Sequence, residues 1–131
     1  MIVADSSAIL AMIFREPEAD NFYRIISNAN ATAISAVTCY EVAVVLLARH
    51  GPAVFAREQS FLERGNFEIV PFTRESYLAA ADAYRKFGKG MGKRPHLNFG
   101  DCVSYALANS LNAPLLYKGN DFSVTGIATC V

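Results

Sequence analysis

The apolar positions of this chain fall into short runs separated by longer stretches with helical spacing. The short runs are "IVA" before Asp5, "ATAISA" at 31–36, "FEIVPF" at 67–72 and "APLLY" at 113–117, with "GIATCV" at 126–131 as a fifth candidate. They are largely continuous rather than alternating, which marks strands covered on both faces. The stretches between them predict helices over 6–14 with a serine at the cap, 17–29 opening on Pro17, 38–51, 52–65, 73–88 capped by Thr73, and 98–112 capped by Asn98. Phe22, Ile25 and Ile26 fall on one face of the second of these. Strands that alternate with one or two helices predict an α/β fold, a central parallel sheet of four to five strands covered by helices on both sides. A loop rich in Gly and Lys, "KGMGKRPHL" at 89–97, precedes the last helix.

Length and composition narrow the picture. The chain has 131 residues, enough for one domain with a real core, and 53% of them are hydrophobic, which excludes a disordered chain. No repeat or linker divides it, so a single domain over 1–131 is expected. The formal net charge is zero, so any electrostatic case for a partner must be local. Cys39, Cys102 and Cys130 are odd in number and lie in apolar surroundings; they read as reduced core cysteines of a cytoplasmic protein. The acid at position 5 and the lack of a basic leading segment argue against a secretory signal, and the apolar runs are too short to span a membrane.

The carboxylates change the picture most. In an open parallel sheet, functional groups gather at the C-terminal ends of the strands. Asp5 ends the first strand, Glu41 is expected in the first turn of the helix after the second, Asp101 in the first turn of the helix after the basic loop, and Asp121 in the turn after the fourth strand. Each also has a structural explanation. Asp5 can cap the following helix, Thr38-x-x-Glu41 and Asn98-x-x-Asp101 have the form of capping boxes, and "GND" at 119–121 is ordinary turn chemistry. Together, four carboxylates on one rim would repel and retain protons unless a cation compensates. Magnesium, or manganese, suits hard oxygen ligands and keeps several waters, and such a site suits phosphodiester hydrolysis.

"MIVADSSAIL", "SAVTCYEVAVVL", "LNFGDCVSYALA" and "LLYKGNDF" resemble, in order and over nearly the whole chain, the four acidic segments of PIN-domain ribonucleases, in particular the VapC toxins of VapBC toxin–antitoxin modules. "LNFGDC" followed by "YKGNDF" is the most specific part. The resemblance implies a three-layer α/β/α sandwich and a magnesium-dependent endoribonuclease. It makes Asp5, Glu41, Asp101 and Asp121 both the metal ligands and the catalytic acids, with Ser6 and Asn120 as polar support. It further implies an RNA substrate, a VapB-like antitoxin and a homodimer. The helices holding "FYRIISNA" and "CYEVAVVLLARH" carry more apolar residues than one face needs and are expected to offer a groove for an antitoxin helix.

From Arg85 to His96 the chain carries five cations and no acid; Lys89, Lys93 and Arg94 are the candidates for holding RNA phosphates, the alternative being a solvated loop. "GKGMGK" is not a phosphate-binding P-loop, because Arg94 stands where Ser or Thr is needed. A Cys–His nucleophile pair is disfavoured by the apolar helical settings of Cys39 and Cys102. The tyrosines at 40, 77, 84, 105 and 117 read as half-buried core or interface residues rather than base-stacking platforms. A receiver-like signalling domain would also gather acids and magnesium at strand ends, using Asp5 and Lys118, but its phosphate-accepting Asp is missing after the third strand, where Pro71 and Phe72 stand.

Overall fold

The structure, a computed structural model, describes residues 1–91 and 96–131. Its elements in chain order are β1 (Ile2–Ala4), α1 (Ser6–Ile13), α2 (Ala19–Asn28), β2 (Thr32–Ser35), α3 (Ala36–His50), α4 (Pro52–Arg64), β3 (Phe67–Val70), α5 (Arg74–Phe87), α6 (Phe99–Ser110) and β4 (Leu115–Leu116). The strands form one parallel sheet in the order β3-β2-β1-β4. The 126–131 segment contributes only a one-residue bridge, Leu115 to Thr129, so the sheet has four strands among the described residues.

Successive residues of each inner strand go to opposite layers. Ile2, Ala4, Ile34 and Leu116 pack with α1, α2, α3 and α4 through Ile9, Met12, Phe22, Val42, Leu46 and Leu62. Val3, Ala33 and Leu115 pack with α5, α6 and the last turn through Ala83, Cys102, Ala108 and Phe122. Burial on both faces explains why β1 and β4 read as continuous apolar runs. The result is the expected α/β/α sandwich. β3 lies at the sheet edge and is only partly covered, with Ile69 exposed.

Several boundaries differ from the sequence reading, each for a local reason. The cap of α1 is Asp5, not a serine, because its carboxylate accepts from the Ser7 N–H while its own backbone stays extended. Helix α2 begins at Ala19 rather than at Pro17. Ser35 ends β2 and caps α3 directly, so α3 starts two residues before Thr38. Thr38 is therefore inside the helix, buried with its hydroxyl 3.4 Å from that of Ser104, and Glu41 sits in the second turn rather than the first. The expected caps Thr73 and Asn98 are both present, each in a reciprocal capping box. The three cysteines are all unpaired, and burial pushes each thiol up to about 11. No described helix is long and apolar enough to cross a membrane.

Candidate functional site

The rim at the C-terminal ends of the strands is built outward from β1. Asp5 follows the last residue of that strand, and its N–H donates to the Leu116 carbonyl of β4 at 2.9 Å. Its side chain is 1% exposed. One carboxylate oxygen, Oδ2, accepts from the Ser7 N–H at 3.0 Å and from the Ser7 hydroxyl at 2.6 Å; the other, Oδ1, is buried without a partner. The Ser7 hydroxyl in turn accepts from the Lys118 N–H at 3.0 Å, which ties the end of β1 to the exit of β4.

Glu41 reaches the rim from α3. It is half-buried, and Oε1 is buried without a partner. Its carboxyl is pushed above the usual range by burial first and by the Asp5 charge second, while a hydrogen bond from Ser6 opposes both. Gly100 makes its position possible: a Cβ there would run into both Glu41 carboxylate oxygens and lie 2.7 Å from Cδ. The glycine is required by close approach, not by backbone conformation.

Asp101 stands in the first turn of α6. Its Oδ2 accepts from the Asn98 N–H at 3.0 Å and its own N–H donates to Asn98 Oδ1 at 2.8 Å. It is therefore a capping residue as well as a rim acid. Its carboxyl rises to about 6: burial is the main cause, the Asn98 N–H opposes it, and the charges of Asp5, Asp121 and Glu41 raise it further. That Asp101 senses all three others places the four acids in one electrostatic neighbourhood. Asp121 is exposed, on the turn after β4 in which Gly119 adopts φ +93° and the Asn120 carbonyl accepts from the Ser123 N–H and hydroxyl.

All four predicted acids thus come from separate segments to one rim, and Ser6 supports Glu41 as expected. Ser7 and Gly100 were missed. A serine two residues after a strand-end acid, and a glycine immediately before a helix-start acid, were the available signals. Among the described residues no three His, Cys, Asp or Glu side chains are drawn into a ready-made ligand cage. The two buried oxygens without partners, Asp5 Oδ1 and Glu41 Oε1, nonetheless need a donor or a cation, and the donor set, all hard oxygens, fits a hydrated divalent ion.

The cationic candidates fare differently. Arg85 and Lys86 pair with Asp82, one turn back on α5, at 2.8 and 3.0 Å. The Lys89 N–H donates to the Leu97 carbonyl at 2.8 Å, which holds it beside the start of α6. Lys93 and Arg94 lie outside the described residues. Lys118 binds Glu16 and Glu18 through its ammonium at 2.9 and 3.1 Å, so the receiver-like role has no lysine directed at the acids. Tyr105 and Tyr117 are half-buried as expected, but Tyr40, Tyr77 and Tyr84 are exposed. A cleft beside α2 is walled by α4, while Tyr23 of α2 and Val44 and Leu47 of α3, the helices expected to offer the antitoxin groove, are exposed. Tyr23 and Ile26 face Phe61 and Arg64 of α4 across a cleft of about 550 Å³, with no wall from α3.

The family description "PIN domain" matches residues 2–128. The chain is 37% identical over 126 residues to ribonuclease VapC28 of Mycobacterium tuberculosis, covering 96% of this chain and 95% of that one. It is 38% identical over 128 residues to ribonuclease VapC30 of the same organism, covering 98% and 97%. Its fold is similar to the crystal structure of M. tuberculosis VapC20, a sarcin–ricin loop cleaving toxin, with a TM-score of 0.77, 15% identity and coverage of 98% and 97%. It is also similar to a toxin–antitoxin complex from Klebsiella pneumoniae, with a TM-score of 0.74, 18% identity and coverage of 100% and 98%.

Proposed function

This chain belongs to the PIN-domain family and is a VapC-type ribonuclease toxin, and from that premise we propose that Asp5, Glu41, Asp101 and Asp121 hold a divalent cation and carry RNA hydrolysis. PIN-domain ribonucleases are generally dependent on a divalent metal; magnesium is the ion proposed here, with manganese able to replace it. The observation that carries this reading is the pair of buried, partnerless oxygens on Asp5 and Glu41, set among other acids. When bound, the ion would supply Lewis acidity, making water nucleophilic near neutral pH and stabilising the leaving oxygen.

The chain's own residues do the rest. Ser7 fixes the Asp5 carboxylate by two hydrogen bonds, leaving Oδ1 for the ion. Ser6 orients Glu41. The Asn98 capping box fixes the Asp101 carboxylate for the ion. Lys89, Lys93 and Arg94 hold the flanking phosphates.

The whole chain, 1–131, acts as one domain in the cytoplasm, as a homodimer. Its antitoxin lays an amphipathic helix between α2 and α3 and sends an arginine or lysine among the acids. Solved structures of similar fold include toxin–antitoxin complexes, which supports a partner of that kind.

The test compares parent and Asp101→Asn in melting and in cleavage of a panel of structured and unstructured RNAs. Millimolar magnesium or manganese should raise the parent's melting temperature more than the variant's, and cleavage should require the ion. A parent whose melting ignores both ions and which cuts RNA in chelator would overturn the metal site.

A further inference from the structure

Exposure along the described chain singles out two aromatic rings. Phe99 is 79% exposed and Tyr40 is 71% exposed, the highest values among the exposed large hydrophobic side chains. Both stand at the acid rim. Tyr40 directly precedes Glu41, and Phe99 directly precedes Gly100 and Asp101. Because Gly100 lies against the Glu41 carboxylate, the two segments meet there and bring their aromatic residues to either side of one contact.

The surroundings of Phe99 extend the feature. An apolar cleft of about 240 Å³ runs from Phe99 over Cys102 to Tyr77 and Tyr84 of α5 and to Phe72. Cations border it. Arg74 lies one turn before Tyr77 and so flanks the α5 stripe that lines the cleft, whereas Arg85 is already paired with Asp82. The Tyr84 hydroxyl donates to the Lys89 carbonyl at 2.6 Å and fixes Lys89 near the end of the cleft. Rings this exposed add little to the core. Aromatic faces edged with cations hold single-stranded nucleic acid by stacking its bases and attracting its phosphates.

We propose that Phe99, with Tyr40 across the Glu41–Gly100 contact, is a stacking platform for unpaired nucleobases beside the scissile phosphate, and that the α5–α6 cleft carries the strand onward. The preferred substrate is then RNA whose bases at the cut are splayed out of a helix. The proposal rests on the nuclease reading of the acid rim. Continuity of Phe99 and Tyr40 with the acid rim, where each directly precedes a rim segment, favours the strand cut there over a second copy of this chain as the occupant.

The chain contains no tryptophan, so Phe99→Trp introduces a single fluorescent reporter at a surface position. With chelator present to prevent cleavage, a short single-stranded RNA should quench its emission about twofold or more. An abasic oligomer of equal length should bind through phosphates without quenching. In cleavage assays Phe99→Ala should raise KM about tenfold, with a smaller fall in kcat, and Phe99→Tyr should restore KM. RNA that binds the tryptophan variant by anisotropy yet leaves its emission unchanged overturns the platform. So does an emission change that follows protein concentration without RNA, which would make a second copy the occupant. Loss of cleavage by the parent in every ion would sink the nuclease reading, whereas the quenching experiment, run without turnover, judges the platform on its own.

Discussion

Glu41 and Glu58 are both helical glutamates with one buried oxygen that has no hydrogen-bond partner. Their company differs. Glu58, on α4, is 2% exposed, and burial alone pushes its carboxyl up to about 7. The ionisable group it influences is the Cys39 thiol of α3. Glu41 shares its space with Asp5 and Asp101 and has Ser6 and Gly100 shaped around it. A lone buried glutamate satisfies its surroundings by taking up one proton. A cluster of acids is not relieved by one proton, because the remaining charges still face one another, and a shared divalent cation is the remedy that fits all of them at once. The same unpartnered oxygen thus marks a core acid that takes up a proton near pH 7 in one place and, on the proposed reading, an ion-binding rim in the other.

The sharpest way to break this comparison is to remove one rim charge. Asp101→Asn should lower cleavage by on the order of a thousandfold, an expected loss for a group acting in the transition state. The fold should persist, since the amide oxygen can still accept the Asn98 N–H; circular dichroism and activity measured together check this. Next in size is Gly100→Ala, whose methyl displaces the Glu41 carboxylate. Because the atoms it meets are the movable end of the Glu41 side chain, stability should change by about 1 kcal/mol or less, while activity should fall roughly tenfold to a hundredfold; unchanged cleavage would mean that the position of Glu41 does not matter.

Glu58 tests the other half of the comparison. Its folded-state carboxyl, near 7, lies above the ordinary glutamate value of 4.5, so the folded protein binds more protons than the unfolded chain between those values. Stability should therefore fall as pH rises through that window, by on the order of 1–3 kcal/mol, and level off above it. Glu58→Gln should remove the slope. It should match the parent in pH dependence below about 4.5 and exceed it above about 7, in denaturant melts. A variant with the parent's slope would show that Glu58 is not the titrating group. At the rim the pH effect runs the other way. Ions compete with protons, so cation affinity should weaken as pH falls through about 6, the Asp101 value, by up to about tenfold per pH unit. The smallest effect expected is that of Ser7→Ala, about 1 kcal/mol of stability, with a modest loss in ion affinity because Asp5 Oδ2 is then held only by the backbone N–H at position 7.

Much of the fold was legible because both faces of β1, β2 and β4 are covered, which writes continuous apolar runs into the chain. The four acids were legible as positions because the ends of parallel strands are where the chain turns. Their supports were not. Whether Thr38 or Ser35 capped α3 depended on how far β2 ran before turning, and Thr38 faces Ser104, 66 residues away. Gly100 is read as a close approach only once Glu41 is known to sit above it. Tyr40 and Tyr77 look like core residues by type, yet they lie on helical faces that no other described layer covers. Such facts belong to tertiary packing, which local pattern does not encode.

The pairing of β1 with β4 has a consequence in time. Asp5 is synthesised well before the stretch that holds it: its backbone is held by Leu116 and its supporting serine by Lys118, 111 positions beyond Ser7. A ribosome-bound chain that has not yet released that stretch has no second wall for this acid. For a nuclease made amid RNA, an acid that waits for so distant a strand delays activity until that strand has emerged, and so protects the machinery that is producing it.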